Sequence, residues 1–284
     1  MGMRTFTVFA VIIFLAAPAG ADVVGNFANG NDDTTYVDAY HGIAGDGWTT
    51  PWVENFNNAN FGTATTGVVG PLDAGYVELY PGGGSYLSTS LTANAGVTNL
   101  QYAVAREHGG IGLDTPRQLE FYFRIDEDLT RSSDLEPYFG DNQADRYWIG
   151  DGPGGLSTGG SSSSTWQILG YSSSASPNCP EGCQMEWSFL NGGNSPTGAI
   201  TPEMAVNTDV PLIGGATYFF RVDLNTHLGT WHGYVTTTVD GTTYSYDSRT
   251  DYPSGMGWRR DEVRGSWLNF SSRASSPDDA RAFS

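Results

Sequence analysis

The stretch TYFFRVDLNTHLGTWHGYVTTTV (Thr217–Val239) is two alternating runs joined by a short polar link that contains glycine. In the first run Tyr218, Phe220, Val222 and Leu224 alternate with Thr217, Phe219, Arg221 and Asp223. Successive side chains of a strand point to opposite faces, so this period of two describes strands with one face buried and one solvated. RQLEFYFRID (Arg117–Asp126) repeats the pattern, with Leu119, Phe121, Phe123 and Ile125 in phase. Further strand-like runs are YVELY (Tyr76–Tyr80), SYLSTSL (Ser85–Leu91), LQYAVAR (Leu100–Arg106), RYWIGD (Arg146–Asp151), TWQILGY (Thr165–Tyr171), QMEWSFL (Gln184–Leu190), TTYSYDS (Thr242–Ser248) and SWLNFSS (Ser266–Ser272). No run of helical period competes with them.

Composition agrees. Glycine is abundant, 38 of 284 residues, aromatics make up 13% and charged residues only 15%. Glycine weakens helices and aromatics suit a pleated surface. Many short half-buried strands in one large chain predict an all-β antiparallel sandwich or barrel. Residues 22–75 are rich in Gly, Asn and aromatics and read as irregular wrapping with few strands. GDGPGGLSTGGSSSST (Gly150–Thr165) and SSSASPNCPEGC (Ser172–Cys183) read as loops.

The N-terminus carries Arg4, an apolar run from Phe6 to Ala17, then Pro18-Ala19-Gly20-Ala21. A basic start, a short apolar core and an A-x-A ending are the parts of a secretory signal peptide. The run falls short of the ~20 residues that span a bilayer. Residues 1–21 are therefore expected to be removed, leaving an exported chain with no membrane span. Residues 22–284 read as a single domain, with a last strand that looks cut short at Ser284.

The formal charge is −18, and all thirteen basic residues are arginine. Such a field repels phosphate backbones and anionic membranes, which argues against nucleic acid as a partner. The two cysteines, Cys179 and Cys183, are expected to pair in an oxidising compartment and pin a local turn.

GGATYFFRVDLNTHLGTWHGYVTTTVDGTTY, followed by GSWLNFSSR, resembles the C-terminal half of a concanavalin A-like lectin/glucanase domain. More narrowly it resembles the laminin G-like jelly rolls of exported bacterial surface proteins. GIAGDGWTTPW (Gly42–Trp52) resembles a Gly/Trp-rich opening common among them. The resemblance implies a two-sheet antiparallel jelly-roll sandwich with one concave face. Ligands would lie on that face or in the loops at its rim. Because lectins, glycosidases, lyases and adhesive modules share the fold, function has to be argued from the site.

The laminarinase-type hydrolases of this fold carry E-x-D-x-x-E on one strand. No glutamate here has that spacing, and the nearest cluster, DEDLTRSSDLE (Asp126–Glu136), has other offsets. Lyase chemistry would use a Tyr/His pair with Arg, for which His232, Tyr234 and Arg221 are the candidates. Sugar binding needs flat aromatics with hydrogen-bonding groups beside them. Trp48, Trp52 and Trp258 sit in glycine-rich stretches and are the expected exposed platforms, with Arg259 beside Trp258. For calcium, a hard cation that wants clustered oxygens, Asp32, Asp33, Asp126 and Asp128 offer carboxylates. The sequence thus points to a non-catalytic lectin-like module, binding glycans or serving adhesion at the cell surface. The alternatives are a polysaccharide-degrading glycosidase or lyase, and a ligand-free structural module of a longer surface protein.

Overall fold

A computed structural model describes residues 52–57, 60, 62–81, 83–94, 100–107, 117–126, 145–151, 166–172, 185–192, 204–258, 267–274 and 280–284. Fifteen strands lie in these residues, all paired antiparallel. They are β1 (Val53–Asn57), β2 (Gly62–Val69), β3 (Tyr86–Ala93), β4 (Leu100–Glu107), β5 (Arg117–Arg124), β6 (Asp145–Gly150), β7 (Gln167–Ser172) and β8 (Met185–Leu190). There follow β9 (Ala205–Pro211), β10 (Thr217–Asn225), β11 (Thr230–Val239), β12 (Thr242–Asp247), β13 (Met256–Gly257), β14 (Trp267–Ala274) and β15 (Ala280–Phe283). The large sheet has the order β1-β4-β14-β6-β7-β8-β9. The small sheet has the order β12-β11-β10-β5, with β13 paired to β11. A third sheet has the order β15-β3-β2.

The expected all-β antiparallel sandwich is what the strands build. β10 alternates half-buried and buried residues throughout, and β11 does so from Thr230 to Thr237. Their inner side chains meet the large sheet ring on ring: Trp187 lies 5.0 Å from Phe220 and 5.4 Å from Tyr218, and Phe189 lies 5.6 Å from Trp231. Phe121 packs edge-on to Phe270 at 5.3 Å. Such edge-to-face pairs add to the gain from burying the rings themselves. The third sheet joins the small one edge to edge: Ser284 and Arg124 exchange two backbone hydrogen bonds and Phe283 bridges Ile125, which stacks the Phe283 ring on Phe123 at 5.2 Å.

Two turns explain why β10, β11 and β12 of the small sheet form from contiguous sequence. At the end of β10, the Leu228 amide donates to the Asn225 side chain at 3.1 Å, and Gly229 takes a positive φ of 62°. Between β11 and β12, Asp240 and Gly241 have φ of 49° and 77°. Two successive residues of positive φ make the type I′ hairpin turn for which Asp-Gly is a preferred pair.

The strand reading departs from the structure at Tyr76–Tyr80, and it passes over β1, β2, β9 and β13. Tyr76–Tyr80 is not a strand: it follows a turn in which Asp73 donates to the Gly70 carbonyl, and Val77 donates to the Tyr86 hydroxyl instead of a ladder partner. Within residues 22–75, expected to hold few strands, β1 and β2 each take a full place in a sheet. β2 (GTATTGVV) is built from Thr, Gly and Ala, so its sequence lacks the apolar alternation by which strands show themselves. Gly150 ends β6 and Ser172 ends β7, while the signal-peptide region, residues 152–165 and 173–183 of the two expected loops, and both cysteines lie outside the described residues.

Candidate functional site

The polar phase of the small sheet faces away from the core. Register places Glu120, Arg221, Tyr234 and Asp247 in one row across β5, β10, β11 and β12. Gln118, Asp223 and His232 form the next row, and Tyr122, Phe219, Thr236 and Ser245 the row on the other side. The segment that follows β12 folds back onto this face. Tyr252 donates to the Ser248 carbonyl and Gly255 to the Tyr252 carbonyl, which brings Arg249 over the sheet.

Four charges then close on one another. Arg249 is paired with Asp223, and at 3.3 Å with Asp247. Arg221 lies 3.5 Å from Asp223 and 3.8 Å from Asp247, with its guanidinium over the Tyr234 ring at 5.2 Å. Gln118 donates its side-chain amide to Asp223 at 2.7 Å. The charged side chains are 24–40% exposed, a setting in which such pairs contribute little stability, about 0–1 kcal/mol each. Their effect is to fix the side chains in place. His232 Nε2 lies 2.9 Å from the Tyr252 carbonyl and donates to it.

Beside this network runs a line of half-buried rings. Tyr80 lies 6.1 Å from Tyr122, Tyr122 lies 5.2 Å from Phe219, and Phe219 lies 6.2 Å from Tyr234. The interplanar angles are 34°, 53° and 63°. The rings form a stepped row rather than one flat platform.

The sequence-predicted residues fare unequally. Arg221, His232 and Tyr234 come together on this face. Trp52 and Trp258, expected as exposed platforms, are buried instead, at 3% and 4% exposure. Trp52 packs against Phe270, 6.2 Å away, and the Trp258 amide donates to the Gly229 carbonyl beside β13, drawing the indole into the core. Since β13 spans only two residues, no periodicity could announce it. Trp48, Arg259, Asp32, Asp33, Asp128, Cys179 and Cys183 lie outside the described residues.

Asp126, a candidate calcium ligand, is held by Arg124 at 2.6 Å and by the Ser284 hydroxyl. Burial outweighs both contacts and pushes its carboxyl above the ordinary value. Glu186 on β8 is likewise raised by burial, although it accepts the Asp209 amide at 2.8 Å. Among the described residues no three or more His, Cys, Asp or Glu gather as a metal site would require.

Sequence reasoning missed Gln118, Tyr122, Phe219, Asp223, Asp247 and Arg249. One signal was present: Phe219 and Tyr122 are large rings standing in the polar phase of their strands, where alternation calls for a solvated residue.

No protein-family model and no curated protein sequence matches the chain. Solved structures do align with it. Peanut lectin, in complex with a nine-residue peptide, is 12% identical, with 82% of this chain and 94% of the lectin covered, at a TM-score of 0.36. Lectin II from Ulex europaeus is 12% identical, with 81% and 88% covered, at 0.39. A carbohydrate esterase from the Shiga toxin-encoding bacteriophage phi24B is 13% identical, with 82% and 88% covered, at 0.35. Similarity this distant carries no functional weight, and the reading below rests on the site.

Proposed function

We propose that the protein is an exported, non-catalytic carbohydrate-binding sandwich whose glycan face is the outer side of the small sheet. The observation that carries this is the row Tyr122–Phe219–Tyr234 set against Gln118, Arg221, Asp223, Asp247 and Arg249. A pyranose has apolar C–H faces that stack on rings and a rim of hydroxyls that seek fixed donors and acceptors. A site for it combines the two within a few ångströms, as this face does. The export half of the reading rests on the basic, apolar and small-residue pattern of residues 1–21.

The charges also speak against hydrolysis at this face. Glycosidases need two carboxylates about 5–10 Å apart with divided roles, one an acid. Here both Asp223 and Asp247 are engaged by the same two guanidiniums, so neither stands ready as an acid opposite a base.

The test is affinity electrophoresis of the secreted protein through gels containing soluble polysaccharides. Retardation is expected, and Phe219→Ala or Tyr234→Ala should weaken it about tenfold, about 1.4 kcal/mol. Mobility unchanged by any polysaccharide would remove the reading.

A further inference from the structure

The same face also carries information about which glycan it takes, an inference that rests on the reading above. We propose that it is built for a single soluble chain of uncharged pyranoses, and selects against both polyuronates and flat crystalline polysaccharide surfaces.

Selection against anionic sugars follows from the charge network. A site for uronates presents a guanidinium whose planar fork is open to a carboxylate. Both guanidiniums on this face are already turned onto protein carboxylates. Arg249 donates to Asp223 through Nη2 and to Asp247 through Nη1, while Arg221 makes only ion-pair contacts, 3.5 Å from Asp223 through Nε and 3.8 Å from Asp247 through Nη2, with its guanidinium over the Tyr234 ring. The two guanidiniums are balanced by Asp223 and Asp247, and Glu120, the cross-strand neighbour of Arg221, makes the face negative by one. The chain as a whole carries a formal charge of −18, which repels a polyanion before contact. What the cluster offers a ligand is hydrogen bonding at fixed positions, suited to hydroxyls.

Selection against a crystalline surface follows from the rings. A crystal face presents sugars in one plane and is matched by coplanar rings. Here neighbouring planes turn by 34°, 53° and 63° along Tyr80, Tyr122, Phe219 and Tyr234. Successive sugar units can follow these steps only by rotating about their linkages, which a free chain does and a lattice forbids. The rings are themselves held: Tyr122 and Phe219 are cross-strand partners, and the Tyr234 ring lies under Arg221. Straightening the row would break those contacts.

The test compares the whole exported protein against three probes: a soluble neutral glucan or galactomannan, polygalacturonate, and microcrystalline cellulose. Retardation in the neutral gel, at least tenfold stronger than in polygalacturonate and with no sedimentation alongside cellulose, is the expected result. A second variant checks the charge argument. Asp223→Asn combined with Asp247→Asn frees both guanidiniums and should gain retardation in polygalacturonate by tenfold or more, with circular dichroism confirming the sheet. Wild-type preference for polygalacturonate or for cellulose overturns the selectivity while leaving glycan binding intact. A folded double variant that gains nothing overturns the role given to the carboxylates. Failure with every probe overturns the proposed function itself.

Discussion

Tyr218 shows how one residue ties the small sheet to its neighbours. Its ring is in the core, and its hydroxyl donates to the Pro211 carbonyl at 2.8 Å while accepting the Ile213 amide at 2.7 Å. Burial drives its pKa far above that of a free phenol. Removing the hydroxyl leaves a half-buried amide and a half-buried carbonyl without that partner, a loss of about 1 kcal/mol. Tyr218→Phe is therefore expected to lower the urea midpoint with the slope unchanged. Gly233 makes a complementary case: a Cβ there would lie 2.5–2.9 Å from three atoms of the Phe189 ring. Overpacking of this kind costs about 1–3 kcal/mol, so Gly233→Ala should melt several degrees lower. At this scale the sequence was only half readable. The alternation put Tyr218 and Phe220 inside correctly, but glycine-rich surroundings were a poor guide to Trp52 and Trp258. What buries those indoles is a two-residue strand and a neighbouring phenylalanine distant in sequence.

Elements with strong alternation were legible from their own residues: β5, β10 and β11 lie where the pattern placed them. β2 and β9 were not. In β9 the buried residues are Val206, Thr208 and Val210 against Asn207 and Asp209, and a threonine at a buried position hides the period. Its hydroxyl is satisfied by the Trp187 carbonyl at 2.6 Å, a partner no local reading supplies. The junction of β5 and β15 yields a prediction at the same scale. Ser284 exchanges two backbone hydrogen bonds with Arg124, and the Asp126 amide donates to the Ala282 carbonyl. The Asp126 carboxyl lies within this junction with its pKa raised, mainly by burial. A carboxyl whose folded pKa exceeds its unfolded one favours the folded state fully below the unfolded value. That contribution is lost as pH rises through the folded value. Glu186 shifts in the same direction. Melting temperature should accordingly fall from about pH 4 upward on their account. Asp126→Asn should flatten part of that decline while raising stability at neutral pH relative to the parent. An unchanged slope would show that the carboxyl is not desolvated as described.

For the molecule as a whole, composition and period were enough to fix the class of fold, because a chain with many half-buried strands must pair two faces over one core. They could not say which outer face would carry function. That depended on register: only the pairing of β10 with β11 and β5 sets Phe219 beside Tyr122 and Tyr234, and only the fold-back after β12 brings Arg249 onto Asp223. Trp52 and Trp258, which suggested sugar platforms, are core, and the rings on the proposed glycan face are tyrosines and a phenylalanine. The choice of face is thus the central claim. Amide chemical-shift mapping during titration with a soluble neutral polysaccharide tests it most directly. The account predicts shifts concentrated at Gln118–Tyr122, Phe219–Asp223 and His232–Thr236. Shifts concentrated instead at Trp148, Asn207 and Arg273, in the outer phase of the large sheet, would contradict it.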